Sequence, residues 1–349
     1  MKPCFLILLF SLLALTMSGC AQLSFYSQSV LGHSKLMSKR KPVAAVLQQT
    51  SDEALKQQLE LSQEALEFAA NELGLPRTKS YRSYVELERD FPVWNVVAAD
   101  EFSLQAEQWC YLVIGCASYR GYFAFERAQR YADKLEEKGL ETHVSGAIAY
   151  STLGWFRDPL LSSMFRYGNL YLVETLFHEL AHQQLYLANW SGLNEGFATV
   201  VASEGMRRWL MQRPVEELQE FKNGKIADED FSVLIDRLKE SLQAIYDGDQ
   251  DVSYKRIEKT KAFEHFKDDY RILKDKKWSG RGWYDGWMSR PLNNARLVGY
   301  STYQEFVPEL EQLLKTCNND LPLFYEAIAK LEQKKKENLT SKDLPKNCH

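Results

Sequence analysis

Histidine is scarce in this chain, with 6 in 349 residues, and cysteine, proline and glycine are also few at 6, 10 and 18. So little glycine and proline excludes a collagen-like or low-complexity chain, and so little cysteine excludes a fold held mainly by disulfides. No sign of charge dominates: 43 basic residues face 47 acidic ones, for a net charge of −4. That balance argues against nucleic acid as a partner, because phosphate binding needs a basic face. Apolar residues make up 45% and aromatic residues 13%, which excludes disorder as the main state and supplies a sizeable core. After the first twenty residues no long apolar run remains, so no transmembrane helix is predicted.

Residues 1–19 read as a secretory signal. Lys2 is followed by an apolar stretch from Phe5 to Met17, too short to span a bilayer. The run ends Met17-Ser18-Gly19-Cys20, which resembles the bacterial lipoprotein signal. That resemblance implies a lipidated Cys20 as first residue of the mature chain and a membrane partner reached through acyl chains. The Ala21 that follows leans towards the outer membrane, in an envelope protein facing the periplasm. Cys110, Cys116, Cys317 and Cys348 then remain for an oxidising compartment. Three pairings are open to them. The favoured one joins Cys110 to Cys116, closing a short hairpin, and Cys317 to Cys348, pinning the tail.

Along the chain, residues 20–50 read as a tether and N-terminal segment. Residues 51–335 form one domain, with an α/β lobe over 51–167 and a helical lobe over 168–335, and 336–349 is a polar tail. Ser51 is a plausible cap for a helix ending near Gly74. Strand-like runs cover 84–87, 93–98, 110–117 and 142–150, with a helix over 126–138. From Gly168 helices are predicted over 168–188, 193–211, 214–245, 251–274, 291–300, 302–315 and 320–335. The fold class is α+β.

The chemistry concentrates in His178-Glu179-Leu180-Ala181-His182, inside an apolar helical stretch. A spacing of four puts both imidazoles on one helix face, where they can share one tetrahedral zinc ion. Glu179 lies ~100° further round the helix and can reach a water on that ion, as general base. A catalytic zinc needs a third protein ligand and an open position. Asn189-Trp190-Ser191-Gly192 breaks the helix, and an antiparallel return over Leu193-Asn194-Glu195-Gly196-Phe197-Ala198 would bring Glu195 beside the histidines.

These two segments resemble the gluzincin metallopeptidases, in words shared with the aminopeptidase N family. The resemblance implies a gluzincin-like fold, one Zn2+ ion held by His178, His182 and Glu195, and Glu179 as base. Twelve residues separate His182 from Glu195, where that family has eighteen, so the connecting turn is shorter. The chain as a whole resembles a group of bacterial lipoproteins described as zinc aminopeptidases, from the lipobox to about residue 315. Segments that carry this include Tyr119-Arg120-Gly121-Tyr122-Phe123 and Leu292-Asn293-Asn294-Ala295-Arg296-Leu297.

By the same resemblance, the strand holding Gly146, Ala147 and Tyr150 should pair with a peptide substrate as an added strand. Ala149 stands where aminopeptidase N relatives carry the Glu that binds the free amine. Tyr303, with Tyr300 second, is the expected oxyanion donor. Arg296 could bind a substrate carboxylate or pair with an acid, and Glu174 could orient a ligand or simply be solvated. The expectation is a zinc aminopeptidase of the envelope. An endopeptidase or cell-wall peptide trimming enzyme is the alternative, and a non-catalytic zinc-binding lipoprotein a second one. Oligomeric state stays open.

Overall fold

The computed structural model describes residues 24–111, 115–334 and 340–348. The signal over 1–19 and Cys20 lie outside these residues, as do 336–339 and 349 of the polar tail. The described chain is mixed α+β, with small sheets in its first half and helices thereafter. No described helix is long and apolar enough to cross a membrane.

Within the segment read as a tether, residues 24–38 form helix α1, and Lys41–Pro42 and Val43–Gln49 form β1 and α2. The reason lies in spacing: Phe25, Gln28, Gly32 and Leu36 fall on one face of α1. Gln28 is buried, and its side-chain oxygen accepts from the Phe123 N–H at 3.2 Å. A Cβ on Gly32 would run into the Phe123 ring at 2.2 Å. Helix α3 (Glu53–Glu72) is capped by Asp52 rather than Ser51: the Asp52 carboxylate accepts from the N–H groups of Ala54 and Leu55.

The three-stranded sheet that matters most has the order β6 (Arg120–Tyr122), β3 (Val93–Asp100), β7 (Leu140–Ala147), all antiparallel. β3 is apolar on both faces because both are covered. Val96 and Ala98 face helix α4 (Phe125–Glu136) through Ala128 and Ala132. Val97 and Ala99 face helix α10 (Asn294–Gln304) through Ala295 and Val298. The run over 110–117 folds as two strands, β4 (Trp109–Tyr111) and β5 (Gly115–Ala117), with Cys110 opposite Cys116 and bonded to it. Cys317 and Cys348 form the second disulfide. β2 (Ser83–Val85) pairs with β1 and with β8 (Leu160–Leu161) in a separate small sheet.

Helices α5 (Asn169–Gln184) and α6 (Ser191–Leu210) pack side by side at the centre. They bury Phe177 and Phe197 in a core that also holds Leu59 of α3, Leu160 of β8 and Phe324 of α12 (Leu321–Ala329). This main core therefore draws on both sides of residue 168. Helices α7 (Val215–Asp247) and α8 (Val252–Lys276) form a long hairpin with its own aromatic core around Phe231, Phe266 and Tyr270. The short α9 (Asp285–Met288) packs into that cluster through Trp287, and α11 (Val307–Thr316) lies against α6.

Candidate metal centre

α5 holds because its inward stripe is fully apolar: Leu172, Leu176, Phe177 and Leu180 are buried. That registration turns His178 and His182 towards α6. The chain leaves α5 at Leu185, which is extended, turns through Asn189 in the left-handed region (φ 72°), and enters α6 at Ser191. Asparagine tolerates that conformation better than most residues.

Two side chains lock this short turn. The buried Asn194 accepts from the Leu187 N–H at 2.8 Å and donates to the Leu187 carbonyl at 2.7 Å. Asn189 accepts from the Cys116 N–H at 3.0 Å, tying the turn to the disulfide-closed β4–β5 hairpin. The sequence marks Asn189 as part of the helix break, but it gives Asn194 no role of its own. The position of Asn194 directly before Glu195, and the turn-forming character of Asn189, were the available signals.

The lock places Glu195 against the histidines. His178 Nε2 lies 3.1 Å from His182 Nε2 and 3.2 Å from Glu195 Oε2, and the third side of the triangle is 3.6 Å. Ligands spaced tetrahedrally about a zinc ion at ordinary bond lengths would lie ~3.3 Å apart. Two imidazoles and one carboxylate converging at this spacing are a fitting donor set for such an ion, and the three form a group able to hold a metal.

The three groups are also coupled electrostatically. Burial alone would raise the Glu195 carboxyl, but His182 and His178 outweigh it and hold it well below the usual carboxylate range. Burial pulls His182 down, and Glu195 overcomes this to leave it above its ordinary value. His182 Nδ1 is buried and meets no hydrogen-bond partner among the described residues. Thr199, one turn beyond Glu195, bonds neither imidazole.

Glu179 is half-buried on the same helix, and no described residue hydrogen-bonds its carboxylate. Its charge is felt by Tyr81 and by Asp158. Asp158 is fully buried and accepts from Thr152 through its backbone N–H at 2.9 Å and hydroxyl at 2.7 Å; burial raises it to about 6.

Tyr303, on α10, is 40% exposed, and the Glu195 carboxylate first and burial second push its phenol well above the usual range. Tyr119 and Tyr186, which sequence reasoning did not single out as site residues, are raised by burial first and by Glu195 next, Tyr186 to about 12. Tyr300 instead packs among Phe231, Tyr284 and Trp287.

The remaining expected residues are dispersed. Gly146 and Ala147 lie on β7, the edge strand, opposite Trp94 and Val93. A Cβ on Gly146 would collide with the Phe91 ring at 2.1 Å, so packing alone demands glycine there. The Tyr150 hydroxyl sits 3.3 Å from His33 Nδ1 of α1. Arg296 is buried and pairs with no acid. Its guanidinium donates to the carbonyls of Trp287 and Pro291 and lies 4.4 Å over the Trp287 ring, because the backbone turn before α10 presents those carbonyls to it. Glu174 is paired with Lys225 at 2.8 Å rather than solvated.

Residues 24–342 match the family described as "Putative aminopeptidase". The chain belongs to that family. No curated protein and no solved structure matches it. Membership makes the protein a peptidase at family level, and it places the converging triad in a chain whose relatives are described by peptide hydrolysis.

Proposed function

We propose that this family member is a zinc-dependent aminopeptidase of the bacterial envelope. The observation that carries the reading is the triangle of His178, His182 and Glu195 beside a Glu179 carboxylate that has no hydrogen-bond partner among the described residues. Zinc held there supplies an acidified water and polarises the scissile carbonyl.

The chain's own groups do the rest. Glu179 takes a proton from the attacking water and delivers it to the departing amine. Tyr303 keeps its proton and can donate to the oxygen that gains charge. β7 is an edge strand of its sheet, and an extended peptide could pair with it beyond Thr142, whose carbonyl Asn293 already occupies. The mature chain would begin at Cys20, carry acyl groups and face the periplasm, leaning towards the outer membrane. Two disulfides suit that oxidising space.

Glu179→Gln should keep stoichiometric zinc by elemental analysis and lose peptide hydrolysis at least a hundredfold, on the order of what a positioned general base contributes. His182→Ala should lose the metal. Full activity in the first variant, or full zinc in the second, rejects the reading.

Endopeptidase activity is favoured by one feature. Ala149 follows β7 where an amine-binding carboxylate would be wanted, and the nearby Asp158 is engaged by Thr152. Free and N-acetylated peptides separate the two: an aminopeptidase cleaves only the free form.

A further inference from the structure

The charge of this chain is unevenly distributed. No Asp or Glu occurs before Asp52, whereas Lys35, Lys39, Arg40 and Lys41 follow Cys20 within about twenty positions, in a protein whose net charge is −4. Lys39 is paired with Glu88 at 3.1 Å. Lys35, Arg40 and Lys41 are exposed and have no carboxylate within ion-pair distance among the described residues.

Apolar side chains stand in the same place. On α1, Val30 is 63% and Leu31 70% exposed. The loop before β8 presents Trp155 and Phe156, at 74% and 56%. This loop lies along α1: the Phe156 and His33 rings are 4.7 Å apart, and Arg40 donates to the Arg157 carbonyl at 3.0 Å. Helix and loop thus adjoin along the His33 flank of α1 and at Arg40 just after it, with Val30 next to that flank and Leu31 and Lys35 further round the exposed face. The loop is also well held. Leu153 and Gly154 take positive φ at its tip, and the buried Asp158 fixes its base through Thr152. A large ring kept in water on a braced loop needs a reason beyond packing.

We propose that α1 and the Trp155–Phe156 loop form a surface that rests on an anionic lipid bilayer. The inference rests on the lipoprotein reading of Cys20, which would put the lipid anchor four residues before Ser24 of α1. An apolar and basic surface at the end of a lipid tether matches both parts of a membrane interface: rings enter the headgroup region and bases meet lipid phosphates. Gly154 of the same loop packs against Gln183 of α5, the residue after His182. Docking there would hold the metal centre close to the membrane.

The test uses the chain from Ala21 to His349, which carries no acyl group and keeps every contact described, since these begin at residue 24. It is sedimented with vesicles of phosphatidylcholine alone or mixed equally with phosphatidylglycerol. We expect binding to the anionic vesicles only, suppressed by high salt. Trp155→Ser removes an exposed ring, and the pair Lys35→Glu and Lys41→Glu reverses unpaired charge; each should weaken binding about tenfold or more. Hydrolysis of a soluble peptide should not change. Absence of binding, equal binding by the variants, or a Trp155→Ser effect on KM for the soluble peptide with vesicle binding intact would overturn the proposal; the last would make the loop a substrate platform. Acylation of Cys20 is read separately, by mass spectrometry of the full chain. An unmodified Cys20 sinks the anchor while leaving the vesicle result standing, and acylation without vesicle binding does the reverse.

Discussion

Asn194 shows how much a single side chain settles. It reads both polar groups of the Leu187 backbone, and so fixes where α6 begins relative to the end of α5. Asn194→Ala would strand a buried donor and a buried acceptor, costing about 2–4 kcal/mol in a urea titration. On the zinc reading proposed above, it should also weaken binding of that ion at least tenfold in a chelator competition, because Glu195 is the next residue. A folded variant with unchanged zinc affinity would remove that role. The histidines were legible in the sequence because a spacing of four has only one meaning on a helix. Asn194 was not, since its partner is backbone seven residues away. Arg296 misled for the same reason: its guanidinium is held by the carbonyls of Trp287 and Pro291, and carbonyls leave no mark in a sequence.

Among the elements, the β4–β5 hairpin bears on the centre without touching it. Cys116 donates its N–H to Asn189 and accepts at its carbonyl from the Ser191 hydroxyl at 3.4 Å, so the disulfide braces the α5–α6 turn from outside. Replacing Cys110 and Cys116 by serine should cost about 2 kcal/mol in stability, a typical value for so small a loop. On the same zinc reading it should also loosen binding of the ion measurably at constant pH; unchanged affinity would show that the turn holds its own shape. Long elements were legible because many residues vote for one period, as in α7 and α8. The three-residue β6 is absent from the strand-like runs of the sequence, and β4 and β5 were read as one run. Strands this short exist only because a neighbour pairs with them.

At the scale of the molecule, Asn294 joins parts that would otherwise be separate. It is fully buried, donates to the carbonyls of Asp100 and Glu101 at the end of β3, and accepts from the Tyr246 hydroxyl of α7 at 2.8 Å. Beside it, Lys259 of α8 meets Glu141 of β7. Asn294→Ala should therefore uncouple the α7–α8 hairpin from the sheet. We expect a loss of about 2–4 kcal/mol and faster hydrogen exchange in α7 and α8 than in α5; uniform exchange would refute the joint. The Asn-Asn-Ala-Arg segment stood out in the sequence, but its task became visible only with the sheet in place. The reading of two lobes met a main core that both sides fill, because α3 and β8 pack on helices that follow residue 168.

That shared core draws on Leu36 near one end of the chain and on Leu344 and Cys348 near the other. A polypeptide emerging from its N-terminus would have to wait for more than three hundred further residues before this interior could close. Until then the apolar flanks of α1, α3 and α5 would stay wet. Synthesis and maturation, rather than equilibrium stability, would be the vulnerable stage in this protein's life.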